Sequence, residues 1–321
     1  MGLARDIDPT RGMLPPSPPT PLPPSTGDEG SKSHWLRDNV VYLRTNHRSH
    51  PGIREAATAI NAQDAAIVDR LPRFTSWVPA LSAGGCWLWE QSAPNPADVK
   101  SLLHSWADHV FNDPLDDEDE RETFLQLLSR GTLDESSPDD FEERRWLVKL
   151  FRALDRTRLL TLVREGPWGC NHINQFLQDW LRRRIKASWP GPLFPGVPVL
   201  ITRNDRLKEL SNGDVGLALP TRDDRIRVVF PRKGSFVSFA PEQLPSHELG
   251  FALTVHKSQG SEYEQVLLVL PPLGGKRLLT KELLYTAITR AKRLAVIVAT
   301  AESARDAIKR RVERESGMTG S

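Results

Sequence analysis

The sequence predicts an α/β fold into which a small β barrel is inserted, and three observations lead to it. Apolar runs of strand length, each followed by a loop and an amphipathic helix, recur on both sides of the chain's middle. Between about 195 and 245 that rhythm gives way to short strands separated by turn residues. Near the end, Leu294-Ala-Val-Ile-Val-Ala299 is the continuous, β-branched run expected of a strand buried on both faces.

Taken in order, residues 1–35 read as a disordered leader, because Leu14-Pro-Pro-Ser-Pro-Pro-Thr-Pro-Leu-Pro-Pro-Ser25 favours polyproline II and offers little to pack. Residues 36–194 form the first α/β part. Val40-Val-Tyr-Leu43 reads as a buried strand, and Ile53, Ala56, Ala57 and Ile60 recur at helical spacing, so Thr45-Asn-His-Arg-Ser-His-Pro51 is a strand-to-helix loop. Val99, Leu102, Leu103, Trp106 and Val110 make one helical stripe; Trp146, Leu147, Leu150, Phe151 and Leu154 make another. The acidic segment between them, 113–143, reads as a solvated loop. Asp117-Glu118 follows no buried strand and so is not a magnesium-holding pair. Leu159 to Val163 is a strand, Arg164-Glu-Gly-Pro-Trp-Gly169 a turn, and a helix starting at Asn171 turns Ile173, Phe176, Leu177, Trp180 and Leu181 inward.

The inserted barrel, 195–245, takes its strands from Val197–Ile201, Val215–Leu219, Arg225–Phe230 and Ser235–Phe239, with turns at Asn212-Gly213, Asp223-Asp224 and Gly234. Residues 246–312 return to α/β with a strand at Val266–Leu270, a helix started by Thr280 and running through Arg290, and the final strand. A flexible tail, 313–321, follows.

The chain has 321 residues, enough for a sizeable core and about two domains. Its formal net charge of +2 imposes no global field, but acid gathers in the middle while Arg182-Arg-Arg184, Lys309-Arg-Arg311 and the last quarter lean basic. Cys86 and Cys170 lie far apart without metal spacing, which argues against a disulfide scaffold or zinc site and suits a reducing cytoplasm. No apolar run approaches the roughly 20 residues needed to span a bilayer.

Chemistry concentrates in the loops. Arg290 closes the helix begun at Thr280, where its permanently charged fork either reaches a transferring phosphoryl group or neutralises the helix C-terminus. Arg48 repeats the theme after the first strand, and two such arginines can converge on one triphosphate. In Thr254-Val-His-Lys-Ser-Gln-Gly-Ser-Glu262, Gly260 permits close backbone approach and Glu262 can accept a ribose hydroxyl. Thr254 and His256 offer hydrogen bonds and a stacking face to nucleic acid, although a lone histidine is usually structural. No Gly-rich turn ending in Gly-Lys-Ser/Thr is present; Gly274-Gly275-Lys276 runs into Arg277 and lacks both the leading glycine spacing and the hydroxyl.

Read together, Arg44–Ile53, Arg164–Gly169 with Asn174, Pro198–Asn204, Asn212–Asp214, Thr254–Glu262 and Glu282–Ala291 resemble, in order, the C-terminal half of RecD. RecD is the alpha subunit of exodeoxyribonuclease V and a superfamily 1 DNA helicase. The resemblance spans roughly 36–312 and implies a second RecA-like domain interrupted by an SH3-like barrel. It implies that Arg48 and Arg290 are the arginines near the γ-phosphate of ATP with Mg, that Gln259, Gly260 and Glu262 face the nucleotide, and that Thr254 and His256 face single-stranded DNA. It further implies stepping in the 5′ to 3′ direction in recombinational repair, a cytoplasmic setting, and partners among an N-terminal helicase half or RecB/RecC-like subunits. Two departures accompany it. The RecA-like half with the P-loop lysine and magnesium-holding pair is missing from the sequence, so ATP hydrolysis by this chain alone is not expected, and His47 replaces an aromatic common before the first arginine. A non-catalytic DNA-binding or assembly module, or a truncated remnant, is the alternative.

Overall fold

The computed structural model describes residues 49–91, 96–114, 122–134, 141–271 and 279–311. The leader, the strand expected at Val40–Leu43, His47, Arg48, Asp117-Glu118, Gly274–Arg277 and the 313–321 tail lie outside the described residues. The helices are α1 (Pro51–Asn61), α2 (Ile67–Arg70), α3 (Trp77–Ala83), α4 (Pro96–Asn112), α5 (Phe124–Arg130), α6 (Phe141–Arg156), α7 (Cys170–Arg184), α8 (Lys281–Ile288) and α9 (Ala301–Lys309). The strands are β1 (Gly85–Glu90), β2 (Thr157–Thr161), β3 (Pro198–Ile201), β4 (Val215–Pro220), β5 (Ile226–Arg232), β6 (Ser235–Phe239), β7 (His247–Leu249), β8 (Ala252–Thr254), β9 (Tyr263–Val269) and β10 (Ala291–Ala299).

A parallel sheet in the order β1-β10-β9-β2-β8 forms the centre. Because successive side chains of a strand point to opposite faces, β9 serves two cores. Val266 and Leu268 pack with α1, α8 and α9, whereas Leu267 and Val269 pack on the side of α4, α6 and α7. β10 lies between β1 and β9, which is why its apolar run lacks alternation. Helix α8 starts where the sequence predicts: the Thr280 hydroxyl accepts from Leu283 N–H at 3.4 Å, satisfying a donor the first turn would leave unpaired. It ends at Ile288, so Arg290 stands in the turn before β10 and not on the helix. Helix α7 begins at Cys170, one residue earlier than expected, behind Gly169.

Strands β3 to β7 form an antiparallel sheet in the order β6-β5-β4-β3-β7. Gly213 at φ +101° and Asp224 at φ +57° supply the backbone twist of the turns around β4 and β5. The outer strands β6 and β7 share no ladder, so the hydrogen bonding shows an antiparallel sheet and not, by itself, a closed barrel. Its last strand, β7, also lies beyond residue 245.

The two sheets meet at Gly250 and Asn174. Gly250 N–H donates to Pro198 C=O at 2.8 Å. The Asn174 amide donates to Leu249 and Ala252 carbonyls at 3.0 and 3.1 Å and accepts from Ala252 N–H at 2.7 Å. One buried side chain of α7 thereby fixes the chain as it leaves β7 and enters β8. Among the described residues no helix is long and apolar enough to cross a membrane.

Candidate nucleotide and nucleic-acid interface

Strand register separates the sequence-predicted residues into two groups. Thr254 pairs with Thr161, and Thr161 pairs with Val269. Tyr263 begins β9 six residues before Val269, so at about 3.3 Å per residue Thr254 and Tyr263 differ by about 20 Å along the strands. Thr254 closes β8 at the carboxyl end of the sheet, while Glu262 and Arg290 precede β9 and β10 at the amino end. Residues 255–262 join the two ends. Since β2 lies between β8 and β9, this segment crosses β2, and Val255 places its start on the α1 and α8 face.

At the amino end, Arg290 is half-buried. Its Nη1 donates to Ser261 C=O at 3.2 Å, its Nε to Thr286 C=O at 3.3 Å, and its own carbonyl accepts from Tyr263 N–H at 2.9 Å. The sequence left two roles for Arg290, reaching a transferring phosphoryl group or neutralising the helix C-terminus; Nε sits on the last turn of α8, while Nη1 holds the backbone of the loop that carries Gly260 and Glu262. Gly260 has φ +87° and nothing within 4 Å of the position a Cβ would occupy. The backbone there is therefore open to close approach, as a cradle for a ligand requires. Glu262 is exposed and, with Tyr263, Lys292 and Arg293, lines a cleft of about 430 Å³. The segment carrying Arg48 enters the described chain at this same end, because His50 N–H donates to Lys292 C=O at 2.7 Å. Arg48 itself lies outside the described residues.

At the carboxyl end, Thr254 is half-buried; His256, exposed, lies within the short 3-10 turn that follows, Val255–Ser258. Gln259 is exposed and its N–H donates to His256 C=O at 3.3 Å. Glu248, which sequence reasoning missed, organises this end. Its carboxylate pairs with Lys257 at 2.5 Å and with Arg164 at 3.2 Å, joining the turn after β2 to the turn after β8. Arg164 comes from far earlier in the sequence than Glu248 and Lys257, and only the Arg164 block and the Thr254–Glu262 block carried any signal for it.

A second unforeseen feature backs the amino end. His109 is 2% exposed and stacks on Trp77 at 4.2 Å; its Nδ1 meets Asp113 at 2.7 Å and its Nε2 meets Gln265 Oε1 at 2.8 Å. Gln265 Oε1 also accepts from the Thr157 hydroxyl at 2.7 Å. Burial pushes the His109 pKa below its ordinary value, against the opposing pull of Asp113. Burial likewise pushes the Cys86 thiol up to about 12 and the Cys170 thiol up to about 11. Both cysteines are inert packing groups at neutral pH.

The mixed α/β core thus carries a half-buried arginine at one strand end and exposed polar groups at the other. In comparisons with known proteins, residues 249–298, from the end of β7 through most of β10, match the UvrD-like helicase C-terminal domain. The chain resembles the C-terminal region of RecD subunits. The RecBCD enzyme subunit RecD of Mycobacterium tuberculosis (strain H37Rv) is 42% identical over 168 residues, 52% of this chain and 28% of that protein. The corresponding subunit of Mycolicibacterium smegmatis is 39% identical over 166 residues, 52% and 29% of the two chains. The ATP-dependent RecD2 DNA helicase of Deinococcus radiodurans is 34% identical over 243 residues, 70% of this chain and 30% of its own length. The chain thus spans about three-tenths of the length of these relatives. A solved Pif1 helicase from Bacteroides, in complex with ADP-AlF3 and ssDNA, aligns over 65% of this chain and 49% of its own, at 17% identity and a TM-score of 0.30, too loose to bear on the site.

Proposed function

We propose that this chain is the C-terminal motor domain of a RecD-like, ATP-dependent DNA helicase acting in recombinational repair. Residues 36–194 and 246–312 form its RecA-like part, and 195–245 an SH3-like insert. The observation that carries the reading is the contact of the Arg290 guanidinium with Ser261 C=O, which holds a permanent cation beside Gly260 and Glu262. Arg290 and Arg48 act as arginine fingers toward the γ-phosphate, and Gln259, Gly260 and Glu262 border the nucleotide. Thr254, at the opposite end of the sheet, and His256, in the turn that follows it, contact single-stranded DNA.

The open backbone at Gly260 and the exposed carboxylate of Glu262 fit ATP with Mg, which supplies the free energy for movement when bound. The P-loop lysine and magnesium-holding carboxylates come from a domain outside this sequence, on an N-terminal helicase half or in a complex with RecB/RecC-like subunits. The 255–262 segment connects the two ends directly, so closure of a P-loop domain on the amino end reaches Thr254 through it. Closure and opening of the two motor domains then alternate the grip on DNA in the 5′ to 3′ direction.

The test is ATP turnover, stimulated by single-stranded DNA, in a reconstitution of this chain with a P-loop-bearing helicase half. Arg290→Ala lowers turnover by about a thousandfold or more, the usual worth of an arginine finger, with DNA affinity nearly unchanged. Equal turnover of variant and parent refutes the assignment and leaves a DNA-binding or assembly module as the better reading.

A further inference from the structure

We propose that the loop between β3 and β4 presents a wedge, Leu207, that inserts against the bases of a single-stranded nucleic acid passing over the carboxyl end of the parallel sheet. The inference rests on the reading of that end as a strand-binding surface. Leu207 is 96% exposed, the most exposed large apolar side chain among the described residues. A lone exposed leucine is ordinary; a leucine held outward by a network is not.

Asp205 builds that network. One of its carboxylate oxygens accepts from Leu207 N–H at 3.0 Å and Lys208 N–H at 3.2 Å, and the other accepts from Lys208 Nζ at 2.7 Å. Asp205 and Leu210 exchange backbone hydrogen bonds at 2.7 and 3.0 Å, closing the loop's neck over the buried Leu210. Asn204 Oδ1 accepts from Asn212 N–H at 2.6 Å, and Arg232 donates to Glu209 C=O at 2.8 Å. The tip is fixed before any partner arrives, which removes an ordering cost from binding.

Charge selects the partner. Arg203 and Arg206 flank the tip, exposed and without an ion-pair or hydrogen-bond partner for their side chains among the described residues. Lys208 is committed to Asp205 and cancels it. Two free guanidinium groups beside an apolar tip suit a polyanion with stackable bases. Topology supplies the location. Leu200 of β3 pairs with Glu248, the residue joining Lys257 and Arg164 at the carboxyl end. Strand β3 ends at Ile201, one pair beyond Leu200, and Arg203 opens the loop two residues later. The loop therefore springs from the same end as Thr254 and His256.

The experiment titrates the full chain into a short oligodeoxyadenylate carrying one 2-aminopurine, at several salt concentrations. Binding by the parent raises the 2-aminopurine fluorescence as the base unstacks. Leu207→Ala loses at least half of that rise at saturation and weakens binding on the order of threefold to tenfold, while Leu207→Trp retains both. Arg203→Ala with Arg206→Ala keeps the rise at saturation and lowers the slope of log affinity against log salt by about 1 to 2. A parent that binds DNA while Leu207→Ala matches it in both readouts overturns the wedge alone, the result a protein-docking tip would give. A parent that does not bind single-stranded DNA overturns the underlying reading and the wedge with it.

Discussion

At the carboxyl end of the parallel sheet, Thr254 is half-buried and the Glu248 carboxylate joins Lys257 to Arg164; at the amino end, Arg290 is held by two backbone carbonyls. Side-chain charge pairs set the first group and backbone geometry sets the second. The first is open to screening by salt, because its pairs are partly solvated. The second depends on loop conformation, which salt hardly touches. The proposed function gives this contrast a purpose: a strand-binding surface benefits from adjustable contacts, and a phosphoryl-transfer site from fixed ones.

Substitutions can break or sharpen this contrast. The largest effect, the turnover loss of Arg290→Ala, belongs to the amino end. Next comes the latch that joins the sheets. Asn174→Ala leaves the Ala252 N–H without its acceptor, a buried loss of about 2–3 kcal/mol, readable as a lower urea midpoint with an unchanged slope. Glu248→Gln frees Arg164 and Lys257 for phosphates and tightens DNA binding about threefold to tenfold at low salt. The gain shrinks as salt rises, and a gain that persists at high salt would contradict the electrostatic account.

The smallest effect is on pH dependence. Because His109 has a depressed pKa in the fold, the unfolded chain takes up a proton that the folded chain does not. The neutral-His contribution is intact above the ordinary histidine pKa near 6.5 and is lost as pH falls from there toward the folded value, at up to about 1.4 kcal/mol per pH unit. His109→Gln removes that component of the slope in urea melts between pH 7.5 and 5.

Much of the parallel sheet was legible because its strands carry long apolar runs, and α8 because Thr280 stands before a helical stripe. Strands β1 and β8 were missed: Gly85-Cys-Trp-Leu-Trp-Glu90 opens on glycine and Ala252-Leu-Thr254 has three residues, and their pairing with β10 and β2 makes them strands. The turns of the antiparallel sheet followed from Asn212-Gly213 and Asp223-Asp224, but closure depends on long-range pairing that turn residues do not encode. Among candidate site residues, Arg290, Gly260, Glu262 and Thr254 were singled out from residue type. Their division between opposite ends of one sheet was not, since register alone decides it. Glu248 and Asn174 act on partners that are mostly remote in sequence, and no local pattern announces them.

The most direct test of two separable ends is an anisotropy titration of fluorescent single-stranded DNA with the chain, comparing Thr254→Ala/His256→Ala with Arg290→Ala at one salt concentration. The account predicts about a tenfold weakening for the first and a change within about twofold for the second, since Arg290 lies about 20 Å from Thr254 along the strands and its hydrogen bonds go to Thr286 and Ser261. Weakening by Arg290→Ala as large as that of the double variant would contradict it.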